Sequence, residues 1–242
     1  MAGRTLLADR YLLGIHKADI SPATLFSICT QMGMPEKYLD ALKEEVQEAN
    51  AVHFGFEGSE TGGIYKVYLE FAGRLGRSRA DALQPVQAVL LHLAYKWDVV
   101  DRHVGTIARY ECHPGLSNSA MLERLAGCFS GHNGHKAIEA VRAIIALASG
   151  RAREPLMYLE VSEEDNPRAS IDINLHDAGM RVQEIELWLS QLREHFAIPD
   201  EQFAPLIGGV KEASLGHLSA GISREGREFV TVYYAADALC AG

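Results

Sequence analysis

The segment Ile64-Tyr65-Lys66-Val67-Tyr68-Leu69 alternates in polarity, so on a strand Lys66, Tyr68 and Glu70 share one face. An ammonium, a phenol and a carboxylate on one surface can bind an anion, donate a hydrogen bond and accept a proton. The same parity gathers more such groups from other apolar-alternating segments: His53 and Glu57, His92 and Lys96, Tyr158 and Glu160, Asp172, Asn174 and His176, His217, and Tyr233. This face holds four histidines and three tyrosines but only two lysines. Imidazole and phenol favour half-buried, hydrogen-bonding surroundings, so the composition points to an enclosed polar lumen rather than a solvated sheet face.

Each grouping has a chemical and a plain structural reading. Asp172, Asn174 and His176 in a row suit the orientation of a substrate or of a histidine base, and equally a hydrogen-bonded ladder. His53, His92, His176 and His217 come from four segments with one parity, which permits a convergent metal or acid–base site. No H-x-H or H-E-x-x-H spacing marks them as ligands. Lys66 and Glu70 can serve a ligand or neutralise each other at a surface. Arg109 alternates with Ile107, whereas Tyr110 shares parity with Thr106, Ala108 and Cys112, and the sequence leaves open which set faces inward. The Gly-rich loop with His132 and His135 reads as an anion cradle or a helix cap, and the tip Ser223 to Arg227 as a guarded mouth or a solvated turn.

The elements that position these groups alternate in period. Ser21-Pro22 opens a helix to about Met32, and 35–48 continues with Tyr38, Leu39, Leu42 and Val46 at helical spacing. From Val52 the period becomes two, and hairpins are predicted over 52–56 with 64–71 and over 89–97 with 105–112. Helices 117–129 and 135–148 follow, then a hairpin 156–161 with 169–176 across the acidic turn Glu163 to Pro167. Helices 180–196 and 199–211 precede a last hairpin, 216–222 with 228–234. The apolar parity of these strands, including Val89, Leu91, Leu93, Tyr95 and Trp97, must be covered, and the amphipathic helices supply the cover.

One domain over 1–242 is expected from 242 residues of ordinary globular composition. A formal net charge of −9 argues against nucleic acid or an anionic membrane as partner. Arg4, Asp9 and Arg10 interrupt the N-terminal apolar residues, and no apolar run reaches a membrane span of about 20 residues, so a cytoplasmic protein is expected. Cys29, Cys112, Cys128 and Cys240 are scattered and read as reduced thiols. Cys112 and His113 are strand neighbours and so point to opposite faces.

The expected fold is α+β: an antiparallel β-barrel or strongly curved sheet of about eight strands in four hairpins, polar inside, with helix pairs packed outside. Helix pairs alternating with hairpins around a polar lumen, together with the Lys66-x-Tyr68 strand, resemble the ABBA-type aromatic prenyltransferases. Tyr95-Lys96-Trp97, Arg109-Tyr110 and Val232-Tyr233-Tyr234 are similar in kind. The resemblance implies metal-independent transfer of a prenyl group from an allylic diphosphate to a small aromatic acceptor, with no cofactor. Lys66, Lys96 and Arg109 would then bind the diphosphate, while Tyr68, Tyr158 and Tyr233 shield the allyl cation. Glu57 or Glu70 would take the acceptor's proton, with Asp172 and His176 as further catalytic groups and His92, Asn174 and His217 as substrate contacts. The alternatives are a histidine-based or metal-dependent enzyme on the same scaffold, or a non-catalytic carrier. The oligomeric state is not readable.

Overall fold

The structure, a computed structural model, describes every residue except 3, 8, 60–61, 81–86, 131–134, 165 and 236–242. His132, Asp165 and Cys240 therefore lie outside the described residues. The fold is α+β, and nine strands follow one another through the sheet in chain order, β1 to β9. Two compact units divide the chain, one over 7–114 with 162–166 and the other over 1–6, 115–161 and 167–242.

In the first unit β1 (Arg10–His16), β2 (Ala51–Ser59), β3 (Gly62–Glu70), β4 (Val89–Asp98) and β5 (Gly105–Cys112) form an antiparallel meander. Helices α1 (Pro22–Gln31) and α2 (Glu36–Glu45) lie between β1 and β2, and α3 (Ala72–Ala80) between β3 and β4. Ser21 accepts a hydrogen bond from the Thr24 amide, with Pro22 in the first turn, so α1 starts at the predicted cap. Leu25, Cys29, Tyr38 and Leu42 from α1 and α2 pack on Val52, Phe54, Val67, Leu69, Tyr95 and Trp97. Burying each large side chain contributes about 1.5–3 kcal/mol, and this face of the strands is covered by helices as their alternation requires.

The second unit carries α4 (Asn118–Cys128), α5 (His135–Arg151), α6 (Glu186–His195) and α7 (Asp200–Val210), with β7 (Asn166–Asn174), β8 (Leu215–Ile222) and β9 (Glu228–Tyr234) antiparallel. β6 (Met157–Glu163) and the start of β7 run across the boundary between the two units. Ile144, Ile145, Leu189, Leu192, Phe203 and Ile207 from the helices bury Ile171, Ile173, Leu218, Ala220 and Val230.

Several expectations are corrected. β1 and α3 are additional elements: β1 lacks the polar–apolar alternation of a half-buried strand, with Tyr11, Leu12 and Leu13 all exposed. A register shift between Leu90 and His92 breaks the parity of β4, and Leu90 packs with the apolar core where Val89 was expected to. Glu163 ends β6 instead of opening a loop. His176 lies in a 3-10 turn, His176–Ala178, past the end of β7.

Candidate functional site

The polar parity of β2, β3 and β4 is buried at its centre and half-buried around it. Lys66 is 8% exposed and Lys96 2%, although lysine is almost never fully buried unless paired. Strand register places the two opposite each other on β3 and β4. Each ammonium has a carboxylate: the Lys66 Nζ donates to Glu57 Oε1, and the Lys96 Nζ to Glu163 Oε1 at 2.6 Å. Arg10 of β1 also reaches Glu57 Oε1, at 3.1 Å. Burial would raise the Glu57 pKa, but the Lys66 and Arg10 cations beside it outweigh that and hold it at about 2. Glu57 is thus a carboxylate that anchors cations, and a weak base.

One step along the same face, His53, Glu70 and His92 converge from β2, β3 and β4. Glu70 Oε2 is 2.8 Å from His53 Nε2 and 3.9 Å from His92 Nε2. Tyr68 lies between them and the lysines on β3, its ring 5.7 Å from that of Tyr110, which in turn stands nearly perpendicular to the His92 ring at 5.8 Å. Cationic, carboxylate and aromatic groups therefore share one face of four strands.

In the second unit Asp172 (7% exposed), Ser170 and Ser219 are buried on the polar parity of β7 and β8. His217 Nδ1 and Asp172 Oδ1 are 2.6 Å apart, and the His217 ring meets those of His176 at 5.4 Å and Tyr233 at 6.4 Å. Asn174 Oδ1 accepts from the His176 amide at 3.0 Å, a local bond to the backbone two residues on that leads into the 3-10 turn. Burial, and secondarily the neighbouring His217, hold His176 below the ordinary imidazole range.

Two expected site residues stand elsewhere. Arg109 is opposite Leu93, hence on the other side of β5 from Tyr110; it is exposed and 4.0 Å from Glu111. This settles the parity that the sequence left open. Tyr158 packs in the apolar core beneath the helices, its hydroxyl 3.3 Å from Glu160 Oε1, and Glu160 pairs with Arg124 of α4. Leu159 and Val161 occupy the opposite parity of β6 and are buried as well, so at Tyr158 the strand is buried on both sides and the polarity of the residue does not give its direction. Sequence reasoning missed Arg10, because it lies on the unpredicted strand, and Glu163, because it was taken for a turn. The signal for Glu163 was the parity it shares with Val161.

Among the described residues, no helix is long and apolar enough to cross a membrane. No protein-family model and no curated protein sequence matches the chain. Among solved structures it is similar to 5-dimethylallyltryptophan synthase from Streptomyces coelicolor, at 14% identity and a TM-score of 0.63 over 98% of this chain and 81% of that one. It is also similar to 6-dimethylallyltryptophan synthase from Micromonospora olivasterospora, solved in complex with DMASPP and Trp, at 17% identity and a TM-score of 0.57 over 93% of this chain and 77% of that one. At these identities the likeness establishes a shared fold, the one expected from the alternation of helix pairs and hairpins.

Proposed function

We propose that this chain is an aromatic prenyltransferase, which moves a prenyl group from an allylic diphosphate to an aromatic acceptor without needing a metal. The observation that carries the reading is the pair of buried lysines opposite each other, Lys66 and Lys96, on a fold shared with dimethylallyltryptophan synthases. With Arg10 they bring three cations together beside the carboxylates Glu57 and Glu163. A diphosphate there would be bound by charge-assisted hydrogen bonds, and the negative charge that builds on it as its C–O bond to the allyl group breaks would be stabilised.

Tyr68 and Tyr110 present ring faces on which the allyl cation can be held. The acceptor ring then forms the new C–C bond and loses a proton. Glu57 is a poor base at its depressed pKa, whereas Glu70, hydrogen-bonded to His53, is a carboxylate–imidazole couple suited to take that proton. The Asp172–His217 pair of the second unit is a couple of the same kind. Arg109 and Tyr158 have no role here.

The test is binding of dimethylallyl diphosphate to chelator-treated protein by calorimetry, followed by a product assay with indoles and phenols. Stoichiometric binding that is lost in Lys66→Met, with prenylated product from at least one acceptor, is the expected result. Loss of turnover but not binding in Glu70→Gln would identify the base. Absence of diphosphate binding to the wild-type chain would overturn the proposal.

A further inference from the structure

The residues His53, Glu70 and His92 do more than buffer one another. Three adjacent strands each contribute one side chain to the same face, with Glu70 opposite His92 across β3 and β4, and His53 opposite Tyr68 across β2 and β3, diagonal to Glu70. Both imidazoles direct Nε2 at the same carboxylate oxygen, and one ligand atom from each of the three residues lies within 4.8 Å of the others. Metal–nitrogen and metal–oxygen bonds of about 2.0–2.2 Å in a tetrahedral shell separate neighbouring donors by about 3.4 Å. The present separations of 2.8 and 3.9 Å bracket that value, so rotamer adjustments of under about an ångström would bring the donors onto one ion.

The rings are also held in place. A Cβ at position 14 would come within 2.8 Å of His53 Nδ1, so the glycine on β1 is what lets the His53 ring lie where it does. The His92 ring is set at steep angles to its neighbours His53, at 6.1 Å and 71°, and Tyr110, at 5.8 Å and 83°. The three side chains are 21%, 28% and 17% exposed, buried enough to be ordered and open enough to admit an ion with water in its remaining positions.

We infer that His53, Glu70 and His92 form a binding site for a divalent first-row transition metal, with Zn2+ the best fit. Two imidazoles and one carboxylate are the donor set of open zinc sites and of non-haem iron centres, while Mg2+ and Ca2+ favour all-oxygen shells. Binding displaces any proton shared between Glu70 and His53 and occupies the carboxylate. The ion and the proton-accepting role of Glu70 exclude each other, so metal occupancy inhibits prenyl transfer. Only this last consequence rests on the function proposed above.

The experiment is Co2+ titration of the chelator-stripped full chain, read by visible d–d absorption and equilibrium dialysis, with Zn2+ in competition. One Co2+ per chain, displaced by Zn2+, is expected, with His53→Ala, His92→Ala and Glu70→Gln each weakening it beyond the roughly 10–100-fold that loss of an outer-shell partner costs. His103→Ala, at an exposed histidine, should leave the titration unchanged. Because Glu70→Gln keeps the side-chain volume and a hydrogen bond to His53, it separates loss of a ligand from loss of the fold. A wild-type chain that binds no Co2+, or one whose binding survives all three substitutions, overturns the site. Diphosphate binding in metal-free protein is read separately, so failure of the prenyltransferase proposal would leave this one standing.

Discussion

Lys66 and Lys96 face each other across β3 and β4, and each ammonium is held by a carboxylate from a different segment, Glu57 on β2 and Glu163 at the end of β6. Like charges directly opposite on a sheet destabilise it, so the two carboxylates are what allow the lysines to share a rung. The pair in the driest surroundings is Lys96–Glu163, with side chains 3% and 0% exposed. Lys96→Met leaves Glu163 buried without its cation and should cost about 3–5 kcal/mol, whereas Lys96→Met with Glu163→Leu should recover most of that loss. Urea denaturation of the two variants measures it. A neutral single substitution would mean that Glu163 is not held as a charged group.

Glu57 should govern the acid limb of stability. Its folded-state pKa of about 2 lies below the ordinary value, so its contribution is fully present above the unfolded-state pKa and is lost as pH falls through the folded one. The window therefore runs from about pH 5 down to about pH 2. The depression corresponds to an upper bound of about 3 kcal/mol, which the 24% exposure of the side chain reduces through solvent screening. Glu57→Gln should flatten the pH dependence across that window in denaturation measured at stepped pH. An unchanged acid limb would move the cause to another carboxylate.

Gly221 on β8 has φ of 149°, and a Cβ there would come within 2.3 Å of the Ala169 carbonyl oxygen and 2.6 Å of the Ser170 Cα. Both obstacles are backbone of the neighbouring strand, so they cannot swing aside. Gly221→Ala should lose at least about 1–3 kcal/mol from the strained backbone alone. It should also shift the amide resonances of Ala169 and Ser170. A thermal melt within a degree of wild type would show that β7 can yield at this point.

Much of the fold and half of the site were legible because period and parity are physical consequences of burial. Lys66, Tyr68, Glu70, His92 and Lys96 fall on one face, since Val67, Leu69, Leu93, Tyr95 and Trp97 must go to the other. The failures share a cause too. Tyr158 is amphipathic and is buried along with Leu159 on the other parity, so neither its polarity nor that of Leu159 fixes which way it points. Arg10 belongs to a strand with Tyr11, Leu12 and Leu13 exposed, where alternation carries no signal. The shift at Leu90–His92 inserts a residue that only cross-strand hydrogen bonding reveals.

His176 tests whether two neighbouring imidazoles sense each other. Burial is the larger cause of its lowered pKa and the nearby His217, itself paired with Asp172, the smaller one. A histidine whose folded pKa is depressed favours folding while neutral, so its effect on stability turns unfavourable as pH falls below the unfolded-state value of about 6.5. Replacing His217 by Asn removes the smaller cause and keeps a hydrogen-bonding group toward Asp172. The His176 ring resonance, followed by NMR against pH, should then titrate at a higher pH than in the wild type while staying below the ordinary range, since burial remains. A titration that does not move would make burial the whole cause. One that rises to the ordinary value would mean that His217 itself keeps water from the ring.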